Sequence, residues 1–530
     1  MEKTEKKNKT KKCFSKCRKV PKEECSQNQQ CIYVNGQIFK YCRLSHKYYL
    51  DEDCNPQIKT KTRKIVKTKM PSPQELAGIK IKTFIMTKKR QYKEKQRLKA
   101  QANITNILNK GHIESKNLQT LCTDSSICIA FGKNADKITQ FFNYFKKFDY
   151  VKLPLRRIGV PSNNGFIHEI EYSRFNYNAY AVLKSSASTK SDNLFYEYKV
   201  GQYINIANKM LPSFVETYGL FQYKNDIIYD HFKKKAVFTK NVLTDAFQRQ
   251  TPTIKDACEK SKFMCILVQH VKNAKPLSSF KRSRDFINRD LMTVLFQVYA
   301  SLFTLSASYT HYDLHSSNVL LYKPVDNKYI MYHYHFAGGL DGKGDVISFK
   351  CPYIAKIIDY GRSHFNQNAS NNSRKLHEEI CKIKECDPKC GEYVGFTALQ
   401  DEVNPPAFSY IEATNVNESH DLRLLRDIHK SWGLEIINPA IHAIMKKVVY
   451  GKGLKGKDKP FGTREEKTSG LPKKINNVTD AYLSMLEYLQ LSNIQTLNDN
   501  VYSAAHGYSK LGDLHVYIDG SRRNMYYQEG

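Results

Sequence analysis

Glycine is scarce in this chain, 25 of 530 residues, and cysteine scarcer at 14. The first excludes a collagen-like repeat and the second a small disulfide scaffold. Acidic residues are also in short supply: 51 Asp+Glu stand against 84 Lys+Arg, a formal net charge of +33. No apolar stretch backs the charged opening MEKTEKKNKTKKC, so a secretory signal is not expected there. One uncharged run, Leu291 to Tyr309, is long enough to span a bilayer. Its large apolar residues fall at Leu291, Val294, Leu295, Val298, Leu302 and Leu305, opposite Thr293, Gln297, Ser301 and Thr304. That stripe predicts a buried amphipathic helix and no transmembrane segment. Aromatic residues, by contrast, are plentiful. With 35 Tyr and 27 Phe, there is ample core material, and wholesale disorder is excluded.

The positive charge is uneven. Residues 1–100 carry a net +19 and residues 156–530 only +11, of which the loop 451–474 supplies +5. A basic arm on an ordinary globular body is the expectation. Such an arm could contact nucleic acid or another acidic partner through residues 1–100, or simply be a solvated extension. Cys13, Cys17, Cys25, Cys31, Cys42 and Cys54 lie in this arm without C-x2-C pairs. Reduced thiols, a zinc site and later disulfides all stay open for them. Ser72-Pro73-Gln74-Glu75 reads as a helix start, and Thr87–Lys99 as a basic solvated helix. Residues 119–150 bring apolar runs that look like part of a folded body.

Three motifs carry chemistry. His311-Tyr312-Asp313-Leu314-His315-Ser316-Ser317-Asn318 has the order H-x-D-L-x-x-x-N. In phosphoryl transfer such an Asp takes the acceptor's proton, and the Asn five residues on holds a metal ion on the phosphates. Downstream, Ile357-Ile358 leads into Asp359-Tyr360-Gly361, where an Asp can hold a cation and a Gly permits a turn. Upstream, Ala179 to Lys184 alternates like a strand and ends in a lysine that could meet phosphates. Glu197 follows thirteen residues later in a helical stretch, 192–205, with Asp192 as the expected cap. It would pair with Lys184.

The phrases HYDLHSSNVLLYKP, YIAKIIDYGRS and YAVLKSS together resemble the serine/threonine-protein kinases of large nucleocytoplasmic DNA viruses, iridoviruses among them. The likeness covers about residues 150–440. It implies an α+β, two-lobed protein-kinase-like fold behind a basic, Cys-containing extension. The implied boundaries are 1–70 for the extension, 71–150 for a helical segment, 151–270 for a β-rich N-lobe and 271–530 for a helical C-lobe. It also implies ATP with Mg2+ or Mn2+, and transfer of the γ-phosphate to Ser/Thr hydroxyls of a protein. A host-cytoplasmic or virion location goes with it. Lys184, Glu197, Asp313 and His315 become catalytic, Asn318 and Asp359 metal-binding, and Ile158, Gly159, Gly165, Phe166, Lys184, Gln269 and Val271 nucleotide-binding. Asp421 becomes the buried anchor of the catalytic loop.

Departures from the family pattern are also present. The glycine loop is reduced to Gly159 and Gly165 around a proline, and no A-P-E follows. His315 replaces the usual lysine, as in haspin-like kinases and the aminoglycoside and choline phosphotransferases. A non-catalytic or structural protein of the same fold, with a nucleic-acid-binding arm, is therefore the alternative. Residues 329–350 predict a long β-hairpin rather than a metal site, although His333 and His335 share one face. For Cys351, Cys381, Cys386 and Cys390, buried thiols and a four-Cys cluster both stay open.

Overall fold

The computed structural model describes residues 31–35, 40–44, 48–50, 56–58, 120–122, 128–130, 135–136, 139–140, 142–159, 165–174, 177–188, 193–336, 345–381, 397–398, 408–409, 413–448, 474–491, 499, 501–519 and 525–529. The chain divides into two compact units, Met1–Tyr92 and Lys93–Gly530. In the first, Cys31–Asn35 pairs antiparallel with Lys40–Leu44, and Tyr48–Leu50 with Pro56–Ile58. Cys42 lies opposite Tyr33 there. Cys13, Cys17, Cys25 and Cys54 lie outside the described residues, as do the helices expected at Ser72 and Thr87.

The second unit is α+β. Its antiparallel sheet has six strands: β1 (Val151–Ile158), β2 (Gly165–Arg174), β3 (Tyr177–Ser186), β4 (Thr217–Gln222), β5 (Val237–Phe238) and β6 (Met264–Gln269). They lie in the order β4-β6-β3-β2-β1-β5. Strand side chains alternate between faces, and both faces of this sheet are used. On one, Ile170, Tyr172, Ala181, Leu183, Cys265 and Leu267 are buried beneath an aromatic layer of Phe142, Phe145, Phe148, Phe232, Phe238 and Phe247. Part of that layer comes from α2 (Asp226–Lys234). The opposite face takes α1 (Leu194–Ala207), which buries Tyr196, Val200 and Ile204 together with Ile266.

α1 starts one turn-residue later than expected. Asn193 is its cap, accepting from the Phe195 N–H at 3.0 Å, in place of Asp192. An Asn at that position satisfies one of the four orphan N–H groups of the first turn. Further along, Asn205 exchanges two hydrogen bonds with the Thr217 backbone, at 2.7 and 2.8 Å, and ties the helix to β4.

The remainder is built on α3 (Leu291–Leu305). The predicted helix is there and is buried, but its polar side does not face water. Gln297 donates to the Tyr353 carbonyl at 3.1 Å and accepts from the Ala355 N–H at 3.0 Å, while Ser301 donates to the Gln297 carbonyl. Gln297 thereby fixes β10 (Ile354–Ile357), the antiparallel partner of β7 (Val319–Tyr322), against the helix. Among the described residues no helix is long and apolar enough to cross a membrane.

The expected hairpin is also present, as β8 (Lys328–Phe336) and β9 (Asp345–Cys351). A C-terminal strand, β11 (Ser509–Tyr517), runs parallel beside β8 and pairs in turn with β12 (Tyr526–Glu529). Cys351 is a buried thiol accepting from Thr293 and Gln297, and burial pushes its pKa up to about 12. Cys386 and Cys390 lie outside the described residues.

Candidate active site

Three segments far apart in sequence converge under the open part of the sheet. Lys184 projects from β3 on the face that carries Ile167 and Ile266, its register partners on β2 and β6. Its Nζ donates to Glu197 Oε2 at 2.7 Å and to Asp359 Oδ1 at 2.8 Å. Glu197 lies in the first turn of α1, with its side chain 6% exposed. Burial alone would push the lysine's pKa down; the charges of Asp359 and Glu197 more than offset this and hold it above the ordinary lysine range. Asp359 is held below the ordinary carboxylate range, chiefly by the Lys184 charge, with His311 and Arg362 adding to it. Its side chain remains 41% exposed, so the carboxylate opens toward solvent while bound to the lysine.

Asp359 has φ +69°, and the following turn is pinned. The buried Tyr360 hydroxyl donates to the Ile357 carbonyl at 3.0 Å and accepts from the Val215 N–H at 2.9 Å. The Ser363 hydroxyl donates to the His311 carbonyl at 3.2 Å. The turn is therefore tied both to the approach to β4 and to the 311–318 loop.

That loop is held from below by Asp421. One carboxylate oxygen accepts from the His311 N–H at 2.8 Å and the other from the Tyr312 N–H at 3.0 Å. Burial pushes Asp421 up to about 7, against the pull of those two donors. Tyr312 adopts φ +62°, unusual for a bulky residue. Its hydroxyl donates to the Asn415 carbonyl at 2.7 Å. His311 is buried and its pKa is lowered by burial. Its Nε2 lies 2.9 Å from the Ile358 carbonyl and its Nδ1 accepts from the Asp313 N–H, which assigns the Nε2–H tautomer.

Asp313 and Asn318 close the loop on itself. The Asn318 amide donates to the Asp313 carbonyl at 2.9 Å. The Ile358 N–H donates to the Asn318 carbonyl at 3.0 Å and so couples the loop to the strand entering Asp359. His315 Nε2 is 4.0 Å from Asp313 Oδ1, and burial lowers its pKa.

Of the expected nucleotide-binding residues, Ile158 shares the Lys184 face through its register with Ile167. Gly159 has φ +70°, which favours glycine. At Gly165 a Cβ would lie 2.5 Å from the Ser185 carbonyl oxygen, so backbone contact excludes a side chain there. Phe166 is a correction. It pairs with Ser185, on the opposite face from Lys184, and its ring packs in the aromatic layer near His168 and Tyr229. The strand period gives that place on the cleft face to Ile167. Gln269 ends β6, exchanging hydrogen bonds with the Glu216 backbone. Val271 follows with its side chain buried.

Sequence reasoning missed several charged partners. Arg423 Nη1 donates to Asp313 Oδ1 at 2.9 Å from the start of α4 (Arg423–Ser431), and Arg362 Nη1 lies 3.8 Å from Asp313 Oδ2. Both are close in sequence to singled-out residues, Asp421 and Gly361, and that proximity was the available signal. Glu169 on β2 binds His270 at 3.0 Å and Lys272 at 2.6 Å, tying the sheet to the segment after β6. The hydrogen bond from His270, joined by Lys272 and opposed by burial, brings Glu169 down to about 2.

Among the described residues no three His, Cys, Asp or Glu side chains converge as a metal site. His333 instead meets Asp513 at 3.0 Å and His335 meets His515 at 3.1 Å, across β8 and β11. Asn318 Oδ1 and the exposed Asp359 carboxylate offer a hard cation two oxygen ligands. A magnesium-like ion fits such a pair when substrate phosphates supply the rest.

No family model matches the chain, and no curated protein matches it. A crystal structure of a kinase domain is similar over 44% of this chain and 61% of that domain, at 15% identity and a TM-score of 0.22. The chain thus spans under two thirds of that domain.

Proposed function

We propose that this chain is a two-lobed, protein-kinase-like phosphotransferase that moves the γ-phosphate of ATP to a hydroxyl, with Ser/Thr side chains of a protein as the first candidate acceptors. One observation carries the reading: Lys184 bridges Glu197 and Asp359, residues 13 and 175 positions away. A lysine placed between a buried supporting carboxylate and a solvent-open one has little structural reason to be there, since partly buried ion pairs add little net stability. It suits a site that must grip phosphates and a cation together.

On this reading Glu197 orients the Lys184 ammonium toward phosphate oxygens. Asn318 Oδ1 and Asp359 would hold Mg2+ or Mn2+, and the ion would neutralise charge on the phosphates when bound. Asp313 takes the acceptor's proton. Its Oδ1 is engaged by Arg423, so Oδ2 is the oxygen for that role. Asp421 supports the chemistry without touching it, by fixing the backbone from which Asp313 projects.

Nucleotide binding tests the reading directly. ATP with Mg2+ at a hundredfold over its Kd should stabilise the wild type by about 2.7 kcal/mol in thermal unfolding. Lys184→Met and Asp359→Asn should lose most of that gain. A wild type that shows no shift up to millimolar nucleotide contradicts the proposal.

A further inference from the structure

We propose that Arg362 is a catalytic residue of this site, the cation that touches the transferring phosphoryl group; this rests on the phosphotransferase reading above. Among the described residues, Lys184, Arg423 and Arg362 lie near the two working carboxylates, and they are not equivalent. Lys184 is shared between Glu197 and Asp359 at hydrogen-bond distance. Arg423 is buried, its side chain 9% exposed, and donates to Asp313 Oδ1 at 2.9 Å. Its charge holds the base in place. Arg362 differs on both counts. Its side chain is 28% exposed, and its Nη1 stands 3.8 Å from Asp313 Oδ2, outside hydrogen-bond range.

Position gives this guanidinium its meaning. Arg362 faces the oxygen of Asp313 that Arg423 leaves open, and its charge also acts on Asp359. On the phosphotransferase reading, a phosphoryl group moving to a hydroxyl held at Asp313 Oδ2 would pass close to this guanidinium.

The backbone that presents Arg362 is fixed on both sides. Tyr360 is buried and bonded to Val215 and Ile357, and Ser363 N–H donates to the Tyr360 carbonyl at 3.0 Å while its hydroxyl binds His311. The backbone that carries the donor is therefore set in place before substrate arrives, which favours electrostatic catalysis by a preorganised group. Burial lowers the pKa of His315, whose Nε2 lies 4.0 Å from Asp313 Oδ1, and so disfavours its charged form.

The step balances as follows. The acceptor oxygen bonds to the γ-phosphorus as the bond to the β,γ-bridging oxygen breaks, and ADP leaves with that electron pair. The hydroxyl proton passes to Asp313 Oδ2. Arg362 gives up no proton; it donates N–H bonds to the γ-phosphoryl oxygens as their charge redistributes, and its planar fork suits two of them at once.

The test compares full-length wild type with Arg362→Ala, Arg362→Lys and Asp313→Ala in phosphate transfer from ATP. Arg362→Ala should lower kcat by about 100-fold, the scale for loss of one preorganised donor. The KM for ATP and the nucleotide thermal shift should stay within about threefold of wild type. Arg362→Lys should recover part of kcat, and millimolar guanidinium should speed Arg362→Ala but not Asp313→Ala. If Arg362→Ala keeps wild-type kcat while Asp313→Ala is inactive, this proposal is overturned and the phosphotransferase reading stands. If guanidinium and Lys both fail to restore a slow Arg362→Ala, Arg362 acts through structure and the proposal is likewise overturned. A wild type that transfers nothing overturns both.

Discussion

Replacing Asp421 with alanine should separate the anchor of the 311–318 loop from its chemistry. The substitution strands two buried N–H groups, those of His311 and Tyr312. Each stranded group costs about 1–3 kcal/mol, so the loss is roughly 2–6 kcal/mol. An opposing gain comes from removing a carboxyl that burial pushes up to about 7. A folded-state pKa above the unfolded value means that ionisation is penalised. That penalty is absent below pH 4 and grows until the pH passes 7, where it reaches about 4 kcal/mol. The net cost of Asp421→Ala should therefore be greater at pH 5 than at pH 8, by about 3 kcal/mol. Urea unfolding at the two pH values measures this directly. Transfer activity should fall at both, because the backbone of Tyr312 at φ +62° has lost the carboxylate bonded to its N–H. An unfolding midpoint that does not move at either pH would refute the anchoring argument.

Three further outcomes follow from the geometry. Glu197→Gln removes the buried charge beside Lys184 but leaves Asp359 in place; kcat/KM for ATP should drop at least tenfold with modest loss of stability, and unchanged kinetics would show that Lys184 needs no support from α1. Gly165→Ala forces a Cβ toward the Ser185 carbonyl, which should cost about 1–3 kcal/mol and weaken nucleotide binding; an unshifted thermal midpoint would mean that β2 can slide away from β3. His168 is buried among Phe166, Phe232 and Phe238, and burial lowers its pKa to about 4. The unfolded chain then binds an extra proton between pH 6.5 and 4, so stability falls by about 3 kcal/mol as the pH drops through that window. His168→Phe should flatten that part of the pH profile, and an equally steep profile would contradict the buried neutral ring.

The convergent residues were legible because each belongs to a short local pattern. Lys184 ends an alternating strand, Glu197 opens a helix, Asp313 and Asn318 share one loop, and Asp359 follows an apolar strand. Asp421, 110 residues beyond His311, was legible only through family resemblance, and its two hydrogen bonds agree with that assignment. Phe166 went wrong for a simple reason. Proximity to Gly165 suggested the cleft, but the strand period sends neighbouring side chains to opposite faces. The aromatic layer over the outer face was hidden because it gathers residues from 142–148, α2 and 238–247, segments that meet only when the chain folds. The parallel pairing of β11 with β8 joins residues 181 or 182 positions apart, beyond any local signal. Arg423 and Arg362 lay beside recognised residues, yet a guanidinium on a flexible stem can point anywhere until the fold directs it.

On the proposed function, Lys184, Glu197, Asp313, Asn318 and Asp359 perform phosphoryl transfer together. Incorporation of label from γ-labelled ATP into basic protein acceptors, and into the chain itself, tests it most directly. Wild type should label in the presence of Mg2+ or Mn2+, and Asp313→Ala and Asp359→Ala should fall to background while remaining folded. Equal incorporation by wild type and both variants would contradict the account.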